Sequence, residues 1–306
     1  MGSVPAHVRE TVDDQLAEIE RAHEVSVVLA VARGSHAWGA ASPASDYDVG
    51  FVYAPTDLRR YAHLEGVDDV TLAERDAFEY QGWDVRKFAA LLADSNDGAI
   101  DLLRSPIRYR AAYDPDELAA YVERTYNPID LYHAWRGIAA NNYRKYLSEH
   151  LVRSDGRLFP ILEARADEYV VEDDDGTTTV SADDERFTET RTRLTVKRNL
   201  TVCRAAMAAR YLRATGERGD HELPALEFET FLDQQAPSAF DAARIDRARA
   251  LLERKRDGEG DVRVGDAVGR AFAHPSKRID PEIHARDGPS RKRLDEFIDE
   301  MLETVR

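Results

Sequence analysis

Residues Val27–Tyr53 read VVLAVARGSHAWGAASPASDYDVGFVY, and the fold turns on how this stretch divides. Its first part belongs to a continuous apolar run, Val25 to Ala32, of the length and composition of a strand buried on both faces. Gly34 and Ser35 break that run. After ten intervening residues a second strand begins, DYDVGFVY, from Asp46 to Tyr53, and it alternates strictly. Tyr47, Val49, Phe51 and Tyr53 fall on one face; Asp46, Asp48, Gly50 and Val52 fall on the other. Two carboxylates separated by one pleat repeat on a common face repel each other unless a cation lies between them. A hard divalent ion such as Mg²⁺ meets that need and commonly brings phosphates with it. The Gly34–Ser35 turn supplies backbone N–H groups and a hydroxyl where a polyphosphate could lie, because glycine allows close approach of the backbone. Taken singly, D-x-D on a strand and Gly-Ser after a strand are ordinary surface and turn features. In this order, with apolar flanks, they point to phosphoryl or nucleotidyl transfer.

Working outward, a helical repeat runs from Val8 to Ala22, with Val12, Leu16 and Ile19 on one face. An alternating segment from Phe78 to Gly82 sets Glu79 and Gln81 opposite Phe78 and Tyr80. Asp84 then stands where a helix N-cap belongs, ahead of Val85, Phe88, Ala89 and Leu92. Arg86 and Lys87 fall in the first turn of that helix, where a cation opposes the helix dipole; a phosphate partner or a solvated face would each account for them. From Pro115 on, the pattern reads as almost wholly helical, over 116–124, 128–150, 195–214, 226–235, 238–256 and 290–305. The stretch Glu172 to Glu189, EDDDGTTTVSADDERFTE, reads as an exposed acidic insertion. The expected architecture is an α/β (α+β) catalytic domain over 1–115, built on a mixed β-sheet with flanking helices. An α-helical domain over 116–306 would follow, carrying the insertion near 172–189.

Composition narrows the function classes. The 306 residues carry 58 acidic and 42 basic side chains, a formal net charge of −16, which argues against a generic cationic nucleic-acid coat. Lysine is scarce, 6 residues against 36 arginines. One cysteine, Cys203, rules out a disulfide framework or a cysteine-rich zinc module. No run approaches the ~20 apolar residues of a membrane span, and the first twenty residues lack the order of a signal peptide. A cytoplasmic protein with no membrane partner is the expectation.

The spacing G-S-x10-D-x-D resembles the signature of the DNA polymerase beta nucleotidyltransferase superfamily. The string from Gly34 to Val49 is similar to one branch, the predicted nucleotidyltransferases of the YcgL/RlaP type, the RNA repair pathway DNA polymerase beta family. The resemblance continues through Gly82-Trp83-Asp84-Val85-Arg86-Lys87, Ser95-Asn96, Ser105-Pro106-Ile107 and Asn142-Tyr143-Arg144-Lys145-Tyr146-Leu147, covering roughly residues 25–256. His36 stands where members often carry arginine, and Arg33 could compensate. The resemblance implies an enzyme in which Asp46 and Asp48 hold Mg²⁺ (or Mn²⁺) and Gly34, Ser35 and His36 meet an NTP. It also implies a third carboxylate on a neighbouring strand. Glu79 is the first candidate for it and Asp84 the reserve. Arg86, Lys87, Tyr143 and Lys145 are further candidates for nucleotide contact, a tyrosine by stacking on a base and a lysine by binding phosphate. The family's name implies an RNA end as acceptor, while a small-molecule or protein hydroxyl stays open. A Mg-nucleotide-binding regulatory protein without turnover is the alternative.

Overall fold

The computed structural model describes residues 4–305 except 65, 76, 175 and 191–193. Helix α1 (Ala6–His23) buries Val8, Val12, Leu16 and Ile19, the stripe its sequence repeat demands. Strand β1 (Val25–Ala32) is almost wholly buried. A short helix, α2 (Gly34–Ala37), leads to strand β2 (Tyr47–Pro55). Strands β3 (Val70–Arg75) and β4 (Phe78–Asp84) follow, then helices α3 (Val85–Ala93) and α4 (Asp97–Leu103) and strand β5 (Arg108–Ala111). The five strands form one mixed sheet in the order β3-β4-β2-β1-β5, in which only β2 and β4 run parallel. The alternation in β2 sorts its side chains as expected. Val49, Phe51 and Tyr53 pack under α1, while Val52 and Ala54 join Phe88 and Leu92 of α3 on the opposite face. Both faces of the sheet are therefore covered, and the site lies at the end of β2 where that cover stops.

Helices α5 (Asp116–Thr125) and α6 (Pro128–Asn142) come next, the latter running into a π-helical turn at Tyr143–Leu147. The chain then departs from the all-helical expectation. Strands β6 (His150–Arg153), β7 (Leu158–Ala164), β8 (Glu168–Asp173), β9 (Gly176–Ser181) and β10 (Phe187–Thr190) form a second sheet, ordered β10-β6-β7-β8-β9. The acidic stretch read as an insertion is thus ordered antiparallel structure, apart from Asp175, which lies outside the described residues. Its core is small: Leu151, Phe159, Val171 and Val180. Its carboxylates meet arginines, as in Arg157 with Asp173 at 2.7 Å and Arg270 with Glu172 at 2.5 Å.

The rest is helical: α7 (Val196–Gly216), α8 (Phe228–Thr230), α9 (Ala242–Arg256), α10 (Arg270–Ala273), α11 (Pro281–His284) and α12 (Arg291–Glu303). Leu294, Phe297 and Met301 of α12 pack back onto the first sheet's core with Phe88 and Leu92. Helix α7 supplies the centre of a second core, shared with α9 and with Phe228, Phe231 and Leu232. No helix among the described residues is long and apolar enough to cross a membrane.

Candidate active site

Strand β1 hands over to β2 through a tight corner. The Arg33 N–H donates to the Asp48 carbonyl at 2.7 Å, and Gly34 takes a left-handed backbone, φ +55°. The corner has no room for a side chain at Gly34, since a Cβ there would stand 1.7 Å from Asp48 Oδ2. Glycine at this point is what lets the backbone lie against the carboxylate. Parallel pairing sets Asp48 beside Glu79 on β4, and antiparallel pairing sets Glu79 beside Glu74 on β3. Asp46 precedes β2 and is exposed; Asp48 is half-buried; Glu79 is exposed. These groups open on a cavity of about 410 Å³ whose lining includes Gly34, Ser35, Asp46, Asp48 and Glu79. Small-molecule sites commonly start at ~300 Å³.

The opposite wall comes from far along the chain. Lys197, in the first turn of α7, and Lys255, near the end of α9, line the same cavity. Backbone bonds from Val196 to Val262 (3.0 Å) and from Lys197 to Gly260 (2.8 Å) pin the start of α7 to the loop after α9. Lys255 is buried, only 8% exposed as a residue, and its ammonium donates to Ser45 Oγ at 2.8 Å. Ser45 Oγ also accepts the Ser42 N–H at 2.9 Å, so this lysine braces the loop that delivers Asp46. Burial, then the neighbouring charge of Lys197, lowers the Lys255 pKa. Asp48 moves the other way: burial raises its pKa, against the pull of Arg33 and Lys197. Both shifts describe charges held short of compensation, as expected of a site shaped for a charged ligand.

Several candidates from the sequence lie elsewhere. Asp84 is fully buried at the far end of β4, opposite Tyr53, and caps α3 by accepting the Arg86 N–H at 3.0 Å. It also accepts from Tyr61 Oη at 2.6 Å, so its oxygens are occupied away from Asp46 and Asp48. Arg86 pairs with Asp84 and covers the Tyr61 ring at 3.9 Å, and Lys87 sits beside it on α3; neither lines the cavity. Tyr143 is buried and donates to Asp266 at 2.7 Å, while Lys145 is exposed beside Tyr146. His36 stacks on Tyr47, ring centroids 4.4 Å apart, and its buried Nε2 has no hydrogen-bond partner among the described residues. Burial lowers the His36 pKa, and the ring does not line the cavity. Arg33 turns its guanidinium onto Gln81 and over Trp83, in the space that Gly50 leaves open on β2.

Lys197 and Lys255 were missed because nothing local marks them. Their only signal was scarcity, two of the chain's 6 lysines. Among the described residues no three His, Cys, Asp or Glu side chains stand ready as a metal cage. Asp46 and Asp48 are all-oxygen donors, which suits Mg²⁺ or Mn²⁺ with remaining positions left to water and phosphate oxygens.

Over 147 residues the chain is 29% identical to the uncharacterized protein YcgL of Bacillus subtilis (strain 168), covering 48% of this chain. The match spans 56% of that protein's own length. A broader match covers residues 8–304, and by it the chain belongs to the RNA repair pathway DNA polymerase beta family, RlaP.

Proposed function

We propose that this chain is a metal-dependent nucleotidyltransferase, moving a nucleoside monophosphate from an NTP to an acceptor hydroxyl. The observation that carries the reading is the two-walled cavity, with Asp46, Asp48 and Glu79 facing Lys197 and Lys255 across the Gly34–Ser35 corner. Magnesium or manganese held by Asp46 and Asp48 would neutralise phosphate charge and polarise the α-phosphoryl group. Lys197 and Lys255 bind the outer phosphates, and the Gly34 backbone lets them approach closely. Glu79, beside Asp48 and open to solvent, takes the proton from the acceptor hydroxyl as its oxygen attacks the α-phosphorus. The bond from the α-phosphorus to the bridging oxygen breaks, and pyrophosphate leaves past the lysines. The family's name favours an RNA end as acceptor. A Mg-nucleotide-binding regulator without turnover is the second reading, favoured by the lack of a ready three-carboxylate cage among the described residues.

The test offers each α-labelled NTP with Mg²⁺ or Mn²⁺ to pools of RNA, tRNA and the protein itself. The variant Asp46→Ala/Asp48→Ala runs alongside. Label transfer that the double substitution abolishes supports the enzyme. Transfer that survives it removes both aspartates from the mechanism, and nucleotide binding without transfer to any acceptor favours the regulator.

A further inference from the structure

Behind the Gly34 corner lies a second cavity of about 130 Å³, sharing Gly34, Trp38 and Thr201 with the first. Its character differs. Where the first wall presents lysines, this one presents two arginines, two aspartates and two tryptophans: Arg33, Arg204, Asp97, Asp101, Trp38 and Trp135. The charges balance, so the space suits a neutral polar group better than a phosphate. The aspartates are only partly engaged: Asp97 is held by backbone N–H groups of Asp97 and Gly98 in the first turn of α4. Asp101 meets Arg204 Nη2 only at 3.3 Å, longer than the ~2.7–2.9 Å of a strong charge-assisted bond. Asp97 makes no ion pair among the described residues, and burial with the nearby Asp101 raises its pKa. Trp135 is buried, and the Arg204 guanidinium lies 4.1 Å from the Trp38 ring centroid, a planar group already stacked on one wall.

We propose that this second cavity receives the base of the nucleoside triphosphate, and that the base it is built for is guanine. The inference rests on the nucleotidyltransferase reading, because Gly34, Trp38 and Thr201 line both cavities and so set the second one directly beside the first. Guanine has an adjacent pair of donors, N1–H and the N2 amino group, that one carboxylate can accept together. Its other edge offers O6 and N7, the acceptor pair that an arginine fork matches. Adenine, cytosine and uracil have neither of these pairs. Indole faces supply stacking that any base could use, so selectivity falls to the aspartates and arginines.

The test measures equilibrium binding of GTP, ATP, CTP, UTP and ITP with Mg²⁺ and no acceptor, with inorganic tripolyphosphate as a probe lacking a base. ITP keeps O6, N7 and N1–H and loses only the N2 amino group. GTP should bind about 10- to 100-fold more tightly than ITP, the worth of one hydrogen bond to a charged group, and at least as much more tightly than ATP, which lacks the whole bidentate contact. Asp97→Asn should bring the GTP-to-ITP ratio close to one, and its tripolyphosphate affinity reports whether the variant is folded. GTP and ITP binding alike to the wild-type protein, or all four NTPs binding alike, overturns the guanine site and leaves the phosphate site standing. Failure of every triphosphate and of tripolyphosphate to bind overturns the nucleotide reading itself, and this inference with it.

Discussion

Gly34→Ala should separate the proposed transfer activity from folding at a single methyl group. An alanine Cβ at this position would stand 1.7 Å from Asp48 Oδ2 and 2.8 Å from Asp48 Cγ, so the carboxylate must swing aside. The backbone at φ +55° also disfavours any L side chain, at about 1–2 kcal/mol. For a chain of this size each kcal/mol lowers Tm by roughly 2–4 °C. The expected result is a Tm fall of a few degrees with a far larger loss of function. A displacement of ~1 Å in a reacting group can cost about 10²-fold in rate, and here the carboxylate must move at least that far. Gly82→Ala is the matched control. Its Cβ would meet Phe51 Cε2 at 2.2 Å in the core beneath the sheet, where overpacking costs about 1–3 kcal/mol. Thermal melts and Mg²⁺-dependent NTP transfer on both variants decide the matter. If Gly34→Ala keeps transfer within a few-fold of wild type, or both variants lose transfer in proportion to stability, the role given to the corner is wrong.

Lys255→Met should weaken triphosphate binding about 10- to 100-fold, the worth of one charged hydrogen bond. The same change trades the desolvation of the lysine charge against the lost bond to Ser45, so Tm without nucleotide should move by no more than a few degrees; titration calorimetry and melts read the two effects separately. Gly137→Ala, mid-way along α6 with nothing within 4 Å of the new Cβ, should stabilise by about 0.5–1 kcal/mol in denaturant melts and leave transfer unchanged. His221 makes stability pH-dependent. Its ring lies 3.0 Å from His284 and 3.1 Å from Arg286, and burial with these neighbours lowers its pKa to about 4 from 6.5. A depressed pKa contributes stability that is present above pH 6.5 and drains as pH falls towards 4, by at most about 1.4 kcal/mol per pH unit for one proton. His221→Asn, a residue tolerant of the left-handed backbone at φ +44°, should flatten that slope; parallel profiles for the two proteins would exclude the histidine.

What the sequence disclosed follows from the range over which each signal acts. Gly34, Ser35, Asp46 and Asp48 were legible because a turn and a two-residue period fix which face a side chain takes. Glu79 was legible by the same period, and parallel pairing then set it beside Asp48. Asp84 carried the local mark of an N-cap and is one; its kinship to the family's string GWDVRK made it look like more. Arg86 and Lys87 gave a dipole argument that Asp84 and Tyr61 answer, for Arg86 at least, without phosphate. The second sheet escaped because β8 and β9 bury one side chain each, Val171 and Val180, too few to print an alternation through an acidic stretch. Lys197 and Lys255 escaped for a different reason. Their meeting with Asp46 depends on how α7 and α9 pack, and only three-dimensional closure creates it.

On the proposed function, the net charge of −16 and the two cavity lysines would act on an incoming triphosphate in opposite directions and at different ranges. Far from the surface the polyanion meets a repulsive field, which salt screens over a Debye length of about 8 Å at physiological ionic strength. At contact it meets Lys255, a buried residue that donates to the Ser45 hydroxyl with Asp46 and Asp261 nearby, where screening is weaker than at the open surface. Raising salt should therefore relieve the distant repulsion before it weakens the contact. The association rate for a Mg-free triphosphate should climb several-fold between ~20 mM and ~150 mM salt, while the dissociation rate changes little. Stopped-flow measurements across that range read both rates. An association rate that falls steeply with salt instead would mean that the lysines dominate even at a distance. The acidic surface would then be irrelevant to capture of a triphosphate, and the lysines at 197 and 255 would act by long-range attraction as well as by contact.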